Sequence, residues 1–289
     1  MRVVLCALVL LLAGAASAAE EEATPIRVAT LLPWIEDALA QVPEHAIVVA
    51  TVRRDLHTPV AGGAIDLGNP HSPSFERLAQ ARPDLGVADA TLHAPLRAKL
   101  AIGETEVLLI PTSSVTGTLE GLVEVGRRVG AEAELTQAAA SVRRALDGLA
   151  LEDPVPTLAL FGAPGSFFAV TERAWLGDLL ARLNFENVSR GDPTRERFPG
   201  LVPLNDELVA TLRPRVVLLV THGDPERIQE AFRSRVTRGG PWQSMHESAS
   251  GGIHVLSPRF FATNPGLALP AAARRLVEIA RPAVSAGPP

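Results

Sequence analysis

Residues 118–154 read TLEGLVEVGRRVGAEAELTQAAASVRRALDGLALEDP. From Leu135 onward, apolar residues recur at alternating spacings of four and three, which is the pattern of a helix with one apolar face. The residues on this face are Leu135, Ala139, Val142, Leu146 and Leu149. Pro154 ends the pattern because proline cannot continue helical hydrogen bonding. Short apolar strands alternate with helical patterns before this stretch and again after it, so the sequence predicts one long helix between two α/β halves.

The strand patterns on both sides of this stretch indicate parallel sheets covered by helices. Residues 46–51 (AIVVAT) and 215–221 (RVVLLVT) are continuous apolar runs, as expected of strands buried on both faces of a parallel sheet. Further strands are predicted at 26–30, 85–88, 107–110, 157–162 and 253–256, and helices at 33–41, 73–80, 91–99, 171–183, 204–212, 225–234 and 266–280. The predicted fold class is therefore α/β, with two doubly wound lobes.

Length and composition exclude several classes of protein. The chain has 289 residues, enough for one large domain or two modest ones, and its 47% hydrophobic and 20% charged residues describe a globular protein. A formal charge of −5 without clusters of lysine or arginine argues against nucleic acid as a partner. The chain contains no tyrosine, so functions that need a phenolate ligand or acid are excluded.

The first residues of the chain predict a secretory signal peptide, residues 1–18. Arg2 precedes the apolar run 3–12, and Ala16 and Ala18 form an A-x-A cleavage site. The run is shorter than the roughly 20 residues that a membrane anchor needs. Cys6 lies in this run without the neighbours of a lipoprotein signal, so a periplasmic, untethered protein is expected. The mature chain would contain no cysteine, and hence no disulfide, thiolate metal site or cysteine nucleophile.

Ligands of doubly wound folds bind beyond the carboxyl ends of the strands. The loops predicted there, including one at 163–168, carry aromatic and polar side chains that suit a large, flat, partly apolar ligand. The candidate ligand-binding residues are Trp34, His57, Ser113, Phe167, Phe168, His222, Arg259 and Phe260. Several of the rings are expected to be core packing instead. Arg259 could pair with a carboxylate or propionate of a ligand, or with an acid on the protein surface.

Residues 53–72 are rich in glycine and proline and predict a long irregular loop, a kind of loop that is usually functional or disordered. His57 and His71 lie in it, where an imidazole could reach the cleft and coordinate iron, zinc or cobalt. Exposed loop histidines are the alternative, because two histidines at this spacing are not a metal motif. His222 follows the strongest predicted strand and is a further candidate. A bare metal ion would need three or four donors from His, Asp and Glu.

The order of the segments resembles the periplasmic substrate-binding proteins that serve ABC importers of iron–siderophores, haem and cobalamin. The resemblance is carried by PSFERLAQARPDLGVA (73–88), the bridging stretch, WLGDLLARLNFENV (175–188), VPLNDELVATLRPRVVLLV (202–220) and FFATNPGLALPAAARRLVEIA (260–280). It implies a class III binding protein with an N-terminal lobe (26–117), a bridging helical segment (118–153) and a C-terminal lobe (154–283). A monomer is expected, with ligand between lobes that move little relative to each other.

The same resemblance assigns a role to one glutamate in each lobe. Glu76 in SFERLAQARPD and Glu207 in NDELVATLRP match the family's acids that pair with arginines of the permease dimer. On local grounds alone, both would be favourable negative charges in the first turn of a helix. Arg215 stands where the second phrase usually has an acid, which weakens that half of the match.

The expected function is the solute-binding component of an ABC importer. It would capture a metal chelate or macrocycle (an iron–siderophore, haem or a corrinoid such as cobalamin) and deliver it to the permease, without an intrinsic cofactor and without catalysis. One alternative is a free zinc or manganese receptor that uses His57, His71 and His222. A periplasmic hydrolase is less favoured, because GAPGS (162–166) is not a G-x-S-x-G elbow and no phosphate-binding or H-E-x-x-H motif occurs.

Overall fold

A computed structural model of the chain describes residues 24–54, 60, 62–189, 194, 196 and 198–285. The predicted signal peptide (1–18) lies outside the described residues, and so does His57. Within these ranges no helix combines the length and the apolar character that crossing a bilayer requires.

Strands and helices alternate along the described chain. The strands are β1 (Ile26–Thr30), β2 (Ala46–Thr51), β3 (Ile65–Asp66), β4 (Gly68–Asn69), β5 (Ser72–Pro73), β6 (Leu85–Asp89), β7 (Glu106–Ile110), β8 (Val155–Ala163), β9 (Ser166–Val170), β10 (Phe185–Asn187), β11 (Leu201–Pro203), β12 (Val216–Thr221) and β13 (Ile253–Leu256). The α-helices are α1 (Trp34–Leu39), α2 (Phe75–Ala81), α3 (Arg97–Leu100), α4 (Val115–Val129), α5 (Glu132–Asp147), α6 (Trp175–Arg182), α7 (Asp206–Thr211), α8 (Pro225–Thr237), α9 (Pro241–Ser248), α10 (Pro258–Phe261) and α11 (Leu269–Ser285).

Two main sheets organise these elements and confirm the α/β class. The first sheet has the parallel order β3-β2-β1-β6-β7, and with its helices it forms the first lobe. The second has the order β11-β9-β8-β12-β13, with β10 also paired to β8, and it forms the second lobe. Strand β12 is buried along its whole length between the parallel neighbours β8 and β13, which explains its continuous apolar run.

Residues 118–153 form two helices rather than the one long helix that the sequence predicts. Helix α4 ends at Gly130, whose φ of +79° is left-handed and favours glycine, and α5 begins two residues later. A Cβ on Gly126 would lie 2.8 Å from the carbonyl oxygen of Ala131, so the two helices also pack closely at the turn. The predicted apolar stripe belongs to α5, where Leu135, Ala139, Val142 and Leu146 are buried.

One hydrophobic core continues from the first sheet to the second. It includes Val28 of β1, Leu122 of α4, Leu135 of α5, Ala159 of β8 and Leu276 of α11. Smaller clusters cover the outer face of each sheet. The helical segment between the sheets is therefore part of the core of both lobes.

Hydrogen bonds tie the lobes together where this core reaches α4. Arg182 of α6 donates to the Thr116 hydroxyl at 2.6 Å. Asn264 donates to the Thr112 carbonyl at 2.8 Å and to the Thr118 hydroxyl at 2.7 Å. These contacts hold the second lobe and the C-terminal segment against the N-terminal end of α4.

Other segments also differ from the sequence-based predictions, among them α9 (Pro241–Ser248), which was not predicted. The stretch 53–72 contains the short strands β3, β4 and the start of β5, and α2 begins only after Ser74, whose hydroxyl accepts from the Arg77 N–H. The predicted loop at 163–168 is instead the β8–β9 hairpin. Its turn uses Gly165 at a φ of +78°, so the chain returns at once as a buried antiparallel strand.

Candidate ligand-binding cleft

Two imidazoles, one from each lobe, meet at the carboxyl edges of the sheets. His71 lies in the turn between β4 and β5 of the first lobe, and His222 directly follows β12 of the second. Their ring centroids are 6.2 Å apart and the ring planes are perpendicular, at 89°. Both side chains are exposed. We call these two residues the histidine pair.

The turn that carries His71 is held from two sides. The backbone N–H of His71 donates to the Asn69 side-chain oxygen at 2.8 Å. The carbonyl of Pro70 is bound by the ring nitrogen Nε2 of His93 at 3.0 Å, and Nδ1 of His93 accepts the N–H of Asp89 at 2.9 Å. His93 is 1% exposed, so these two contacts are its polar environment in the interior.

The Asp89 carboxylate fixes the loop on the other side of His93. It accepts the backbone N–H of Thr91 at 2.8 Å and also the hydroxyl of Thr112. Asp89 ends β6 and Thr112 follows β7, so this carboxylate joins two neighbouring carboxyl ends of the first sheet. The loops next to His71 are thus fixed by buried and part-buried hydrogen bonds.

His222 is positioned by the end of β12 and by an aromatic neighbour. Its backbone N–H donates to the carbonyl of Gly162 at 2.8 Å, which extends the β8–β12 ladder by one residue. Its ring stacks on Phe161 of β8, with centroids 5.4 Å apart and an interplanar angle of 29°. One ring face of His222 is therefore covered by the second lobe, while the residue as a whole stays exposed.

Burial favours the neutral form of two histidines at this edge. Desolvation lowers the pKa of His93, although the Pro70 carbonyl and the Asp89 carboxylate oppose the shift. His222 is exposed overall, but the loss of water from the face on Phe161 lowers its pKa, and nearby His71 lowers the pKa further. A neutral imidazole keeps the lone pair with which it can bind a metal.

Three of the aromatic candidates lie in the core. Trp34 is 3% exposed and packs on Gly266, where an added Cβ would be 2.4 Å from the indole ring. Phe167 is 3% exposed and packs against Phe232 and Trp242. Phe168 is 7% exposed, because the β8–β9 hairpin turns both phenylalanines into strand residues. The structure therefore places these three rings in the packed interior, although Phe168 is the cross-strand partner of Phe161, the neighbour of His222.

Three other candidates keep access to solvent at the carboxyl edges. Ser113 is exposed after β7, and Arg259 is exposed in α10, which follows β13. The guanidinium of Arg259 lies 5.4 Å from the ring centroid of half-buried Phe260. Arg259 forms no ion pair with any residue that the structure describes. It is a cation available to an anionic group of a ligand.

Phe161 and His93 are the residues of this site that sequence reasoning missed. Phe161 was assigned to a strand interior, although it stands near the carboxyl end of β8. His93 lies four residues beyond the end of β6, so the rule that sites follow strand ends could have selected it. Its role as a buried bridge has no sequence signal of its own.

The metal-binding capacity of the described site is limited to few donors. Among the described residues, no three His, Cys, Asp or Glu side chains are grouped as a metal site would require. The histidine pair offers two nitrogen donors. Such a pair suits a metal that arrives with other donors already supplied by a chelator.

The two acids expected to dock on a permease are exposed on different lobes. Glu76 lies in the first turn of α2, and Glu207 lies in the first turn of α7, which Asn205 caps by accepting the Leu208 N–H at 2.8 Å. Neither carboxylate is engaged in an ion pair within the described part of the chain. Both are free to meet a cation on a partner.

Comparison with known proteins agrees with this architecture. A family model described as "Periplasmic binding protein" matches residues 28–239. The high-affinity heme uptake system protein IsdE of Staphylococcus aureus is 22% identical over 195 residues, which are 66% of this chain but only 64% of IsdE. The match therefore spans less than two thirds of that relative.

Solved structures share the fold at low sequence identity. An ABC transporter substrate-binding protein from Listeria monocytogenes superposes with a TM-score of 0.75 at 18% identity, covering 89% of this chain and 98% of that one. S. aureus IsdE complexed with heme superposes with a TM-score of 0.75 at 17% sequence identity, covering 89% of this chain and 99% of that one. The petrobactin-binding protein YclQ from Bacillus subtilis superposes with a TM-score of 0.67 at 15% sequence identity, covering 88% of this chain and 91% of that one. These likenesses establish the two-lobed fold.

Proposed function

The chain belongs to the periplasmic binding protein family, and we propose that it is the substrate-binding component of an ABC importer for haem. The observation that carries the ligand assignment is the histidine pair, with one imidazole from each lobe and ring centroids 6.2 Å apart. In this proposal haem lies between the lobes, and His71 and His222 bind its iron from opposite faces. The protein acts by binding and delivery, and haem is its cargo.

The spacing of the two rings supports a single metal between them. A metal–imidazole bond is about 2.0–2.1 Å, so two nitrogens on opposite sides of one metal are about 4 Å apart. The coordinating nitrogens lie on the periphery of each ring, and rings with centroids 6.2 Å apart can present them at about this spacing. The lowered pKa of His222 favours its neutral, coordinating form near neutral pH.

The kind of chelate follows from the number of protein donors. A porphyrin supplies four equatorial nitrogens and leaves two axial positions, and histidine is a common axial ligand of haem iron. Tyrosine, another such ligand, is absent from this chain. A hexadentate siderophore fills every position of its iron and gives an imidazole nothing to bind. Corrinoids also have axial positions on their metal, so they remain the alternative that the experiment below must separate.

Neighbouring groups at the same edges could bind the rest of a porphyrin. Arg259 is exposed without an ion-pair partner among the described residues and could hold a propionate by charge-assisted hydrogen bonds. Leu92, which is 44% exposed after β6, offers apolar surface on the first lobe. The names of the compared proteins include both heme and petrobactin, so the histidine pair is what favours haem here.

Delivery is proposed to use one acid on each lobe. Glu76 and Glu207 are exposed and lie in first turns of α2 and α7. By the family resemblance they would pair with arginines of the two permease subunits. Export to the periplasm through the predicted signal peptide is part of the same proposal.

The test is a titration of the mature protein with ferric haem, cyanocobalamin and a ferric hydroxamate siderophore, followed by visible absorption. We expect saturable binding of haem with a six-coordinate, low-spin spectrum. Replacing His71→Ala or His222→Ala should remove that spectrum and weaken haem binding by at least about tenfold. His246→Ala, on the exposed surface of α9, is the matched control and should change neither. Siderophore or cobalamin binding without haem binding would overturn the ligand assignment.

A further inference from the structure

His93 is a buried histidine with both ring nitrogens engaged. It is 1% exposed, and it joins the backbone at Asp89 to the backbone at Pro70, which lies 23 residues before His93. The N–H of Asp89 can only donate, so Nδ1 of His93 must be the acceptor. Nε2 then carries the proton and donates to the Pro70 carbonyl. One neutral tautomer satisfies both contacts, and no other form of the ring does.

The β4–β5 hairpin, whose tip His93 contacts, is short. Strands β4 and β5 have two residues each, pairing Gly68 with Pro73 and Asn69 with Ser72. Isolated two-stranded hairpins are marginal in water even when they are longer than this. The base of the hairpin is anchored where the Ser74 N–H donates to the carbonyl of buried Leu67 at 2.9 Å. Its tip, Pro70 and His71, needs a further attachment.

The contact from His93 reaches the tip directly. The Pro70 carbonyl belongs to the peptide group whose nitrogen is that of His71, so fixing this carbonyl fixes the plane from which the His71 side chain departs. The partner on the other side, Asp89, ends β6, an interior strand of the first sheet between β1 and β7. His93 thus links the tip of the hairpin to the carboxyl end of β6, and this link fixes the position of His71 relative to His222.

We infer that His93 is a positioning residue that places the His71 imidazole opposite His222 for coordination of the cargo metal. The purpose of this positioning, coordination of the cargo metal, rests on the proposed function, whereas the placement of His71 rests on the two hydrogen bonds of His93. Residues that hydrogen-bond to metal ligands commonly fix the orientation of those ligands before the metal binds. In this inference His93 has the same effect on His71, through the backbone of the turn that carries it.

The experiment compares two replacements of His93 in the mature protein. His93→Gln keeps a side chain that can accept from the Asp89 N–H and donate to the Pro70 carbonyl. His93→Phe keeps the volume and burial but removes both hydrogen bonds. With ferric haem, His93→Phe should shift the six-coordinate, low-spin spectrum toward a five-coordinate form and weaken binding by about 10–100-fold. His93→Gln should restore most of the wild-type spectrum.

A double-mutant cycle separates positioning from a general loss of structure. In a His71→Ala background, His93→Phe should cause no further change in haem affinity or spectrum, because the side chain that it positions is gone. Additive effects, or an unchanged spectrum in His93→Phe, would overturn the inference. Circular dichroism and urea unfolding establish that each variant is folded at the temperature of the titration.

A ligand-free measurement keeps this test independent of the haem assignment. Ring-proton NOEs between His71 and His222 should be present in the wild type and in His93→Gln, and absent in His93→Phe. If haem fails to bind the wild type but the NOEs follow this pattern, the proposed ligand is wrong and the positioning role stands. If the NOEs are the same in all three proteins, His93 does not position His71.

Discussion

Asp178 of the second lobe caps the first turn of α4 at the edge of the first lobe. Its carboxylate oxygen Oδ2 accepts the backbone N–H of Val115 at 2.8 Å. Asp178 also lies 3.7 Å from the guanidinium of Arg182, which donates to Thr116 in the same turn. A helix N-terminus carries unsatisfied N–H groups and a partial positive charge, so this carboxylate stabilises α4 and fixes the two lobes together.

Asp178→Ala should therefore loosen the connection between the lobes. We expect the free energy of unfolding in urea to fall by about 1–2 kcal/mol, the usual cost of losing a cap. Haem should then compact the variant more than the wild type, as measured by solution X-ray scattering. Asp153→Ala, at an exposed loop position, is the control and should leave both measurements unchanged. Equal scattering profiles for Asp178→Ala and the wild type, with and without haem, would contradict the conclusion that Asp178 fixes the two lobes together.

Gly266→Ala tests the contact between the C-terminal segment and the first lobe. The new methyl group would lie 2.4 Å from the Trp34 ring, and Gly266 has a left-handed φ of +55°. We expect a loss of about 2–4 kcal/mol in the free energy of unfolding, from overpacking together with backbone strain. Gly148→Ala is a matched control, because its Cβ would meet open space at a φ of −91°. A similar loss in both variants would mean that Trp34 is not the cause.

Arg259→Ala tests the expected contact with a propionate. If the guanidinium pairs with a haem carboxylate, its removal should weaken haem binding by about tenfold or more, because hydrogen bonds to charged groups contribute roughly 1.5–3 kcal/mol. Haem dimethyl ester, which lacks the charge, should bind Arg259→Ala and the wild type equally. Arg274→Ala, exposed on α11, is the control cation. A preference of the wild type for the ester would be evidence against the pairing.

The pH dependence of stability should report the buried His93. Its pKa is lowered in the folded protein, mainly by burial, whereas an unfolded histidine titrates near about 6.5. The unfolded state therefore binds more protons below that pH, and the free energy of unfolding falls as the pH drops through this range. His93→Gln should flatten this fall when urea unfolding at about pH 7.5 and about pH 5.5 is compared.

Comparison with the variant also removes other titrating groups from the measurement. Glu36 has a raised pKa, mainly because of burial, so its contribution to stability increases as the pH falls. That contribution has the opposite sign and is the same in the wild type and in His93→Gln. The difference between the two proteins isolates His93, and an equal pH slope in both would show that His93 does not titrate as inferred.

The docking proposal predicts a loss of transport without a loss of binding. Glu76→Lys together with Glu207→Lys should leave the haem affinity unchanged, because both side chains are exposed in helix first turns and take no part in the histidine pair. Uptake by the importer reconstituted in vesicles should fall strongly, since like charges would face the permease arginines. Glu44→Lys, another exposed acid, is the control. Wild-type uptake by the double variant would rule out this docking surface.

Local patterns in the sequence were sufficient for the two α/β halves and for the apolar face of α5. Periodicity reports which side of an element is buried, and the stripe from Leu135 to Leu146 is buried as expected. The rule that sites follow strand ends correctly placed His222 at the carboxyl edge of β12. The break at Gly130 was missed because a glycine in a helical pattern is also compatible with continuation.

The remaining features depend on tertiary contacts that no local pattern encodes. Whether Trp34 faces a cleft or the core is decided by Gly266, far along the chain. The burial of Phe167 depends on the hairpin partner and on Trp242 of α9. The meeting of His71 with His222 depends on the relative placement of two sheets. Sequence reasoning could select the residue types, but it could not tell which aromatic rings are buried in the core.

The packing of Gly266 against Trp34 also means that Trp34 can be buried only after residue 266 has been synthesised. Helix α1 forms near the beginning of the chain, yet its indole is covered only by a segment close to the end. A ribosome must therefore have made nearly the whole polypeptide before the first lobe can bury Trp34. Until then that lobe lacks a part of its own interior, so early, stable folding is disfavoured.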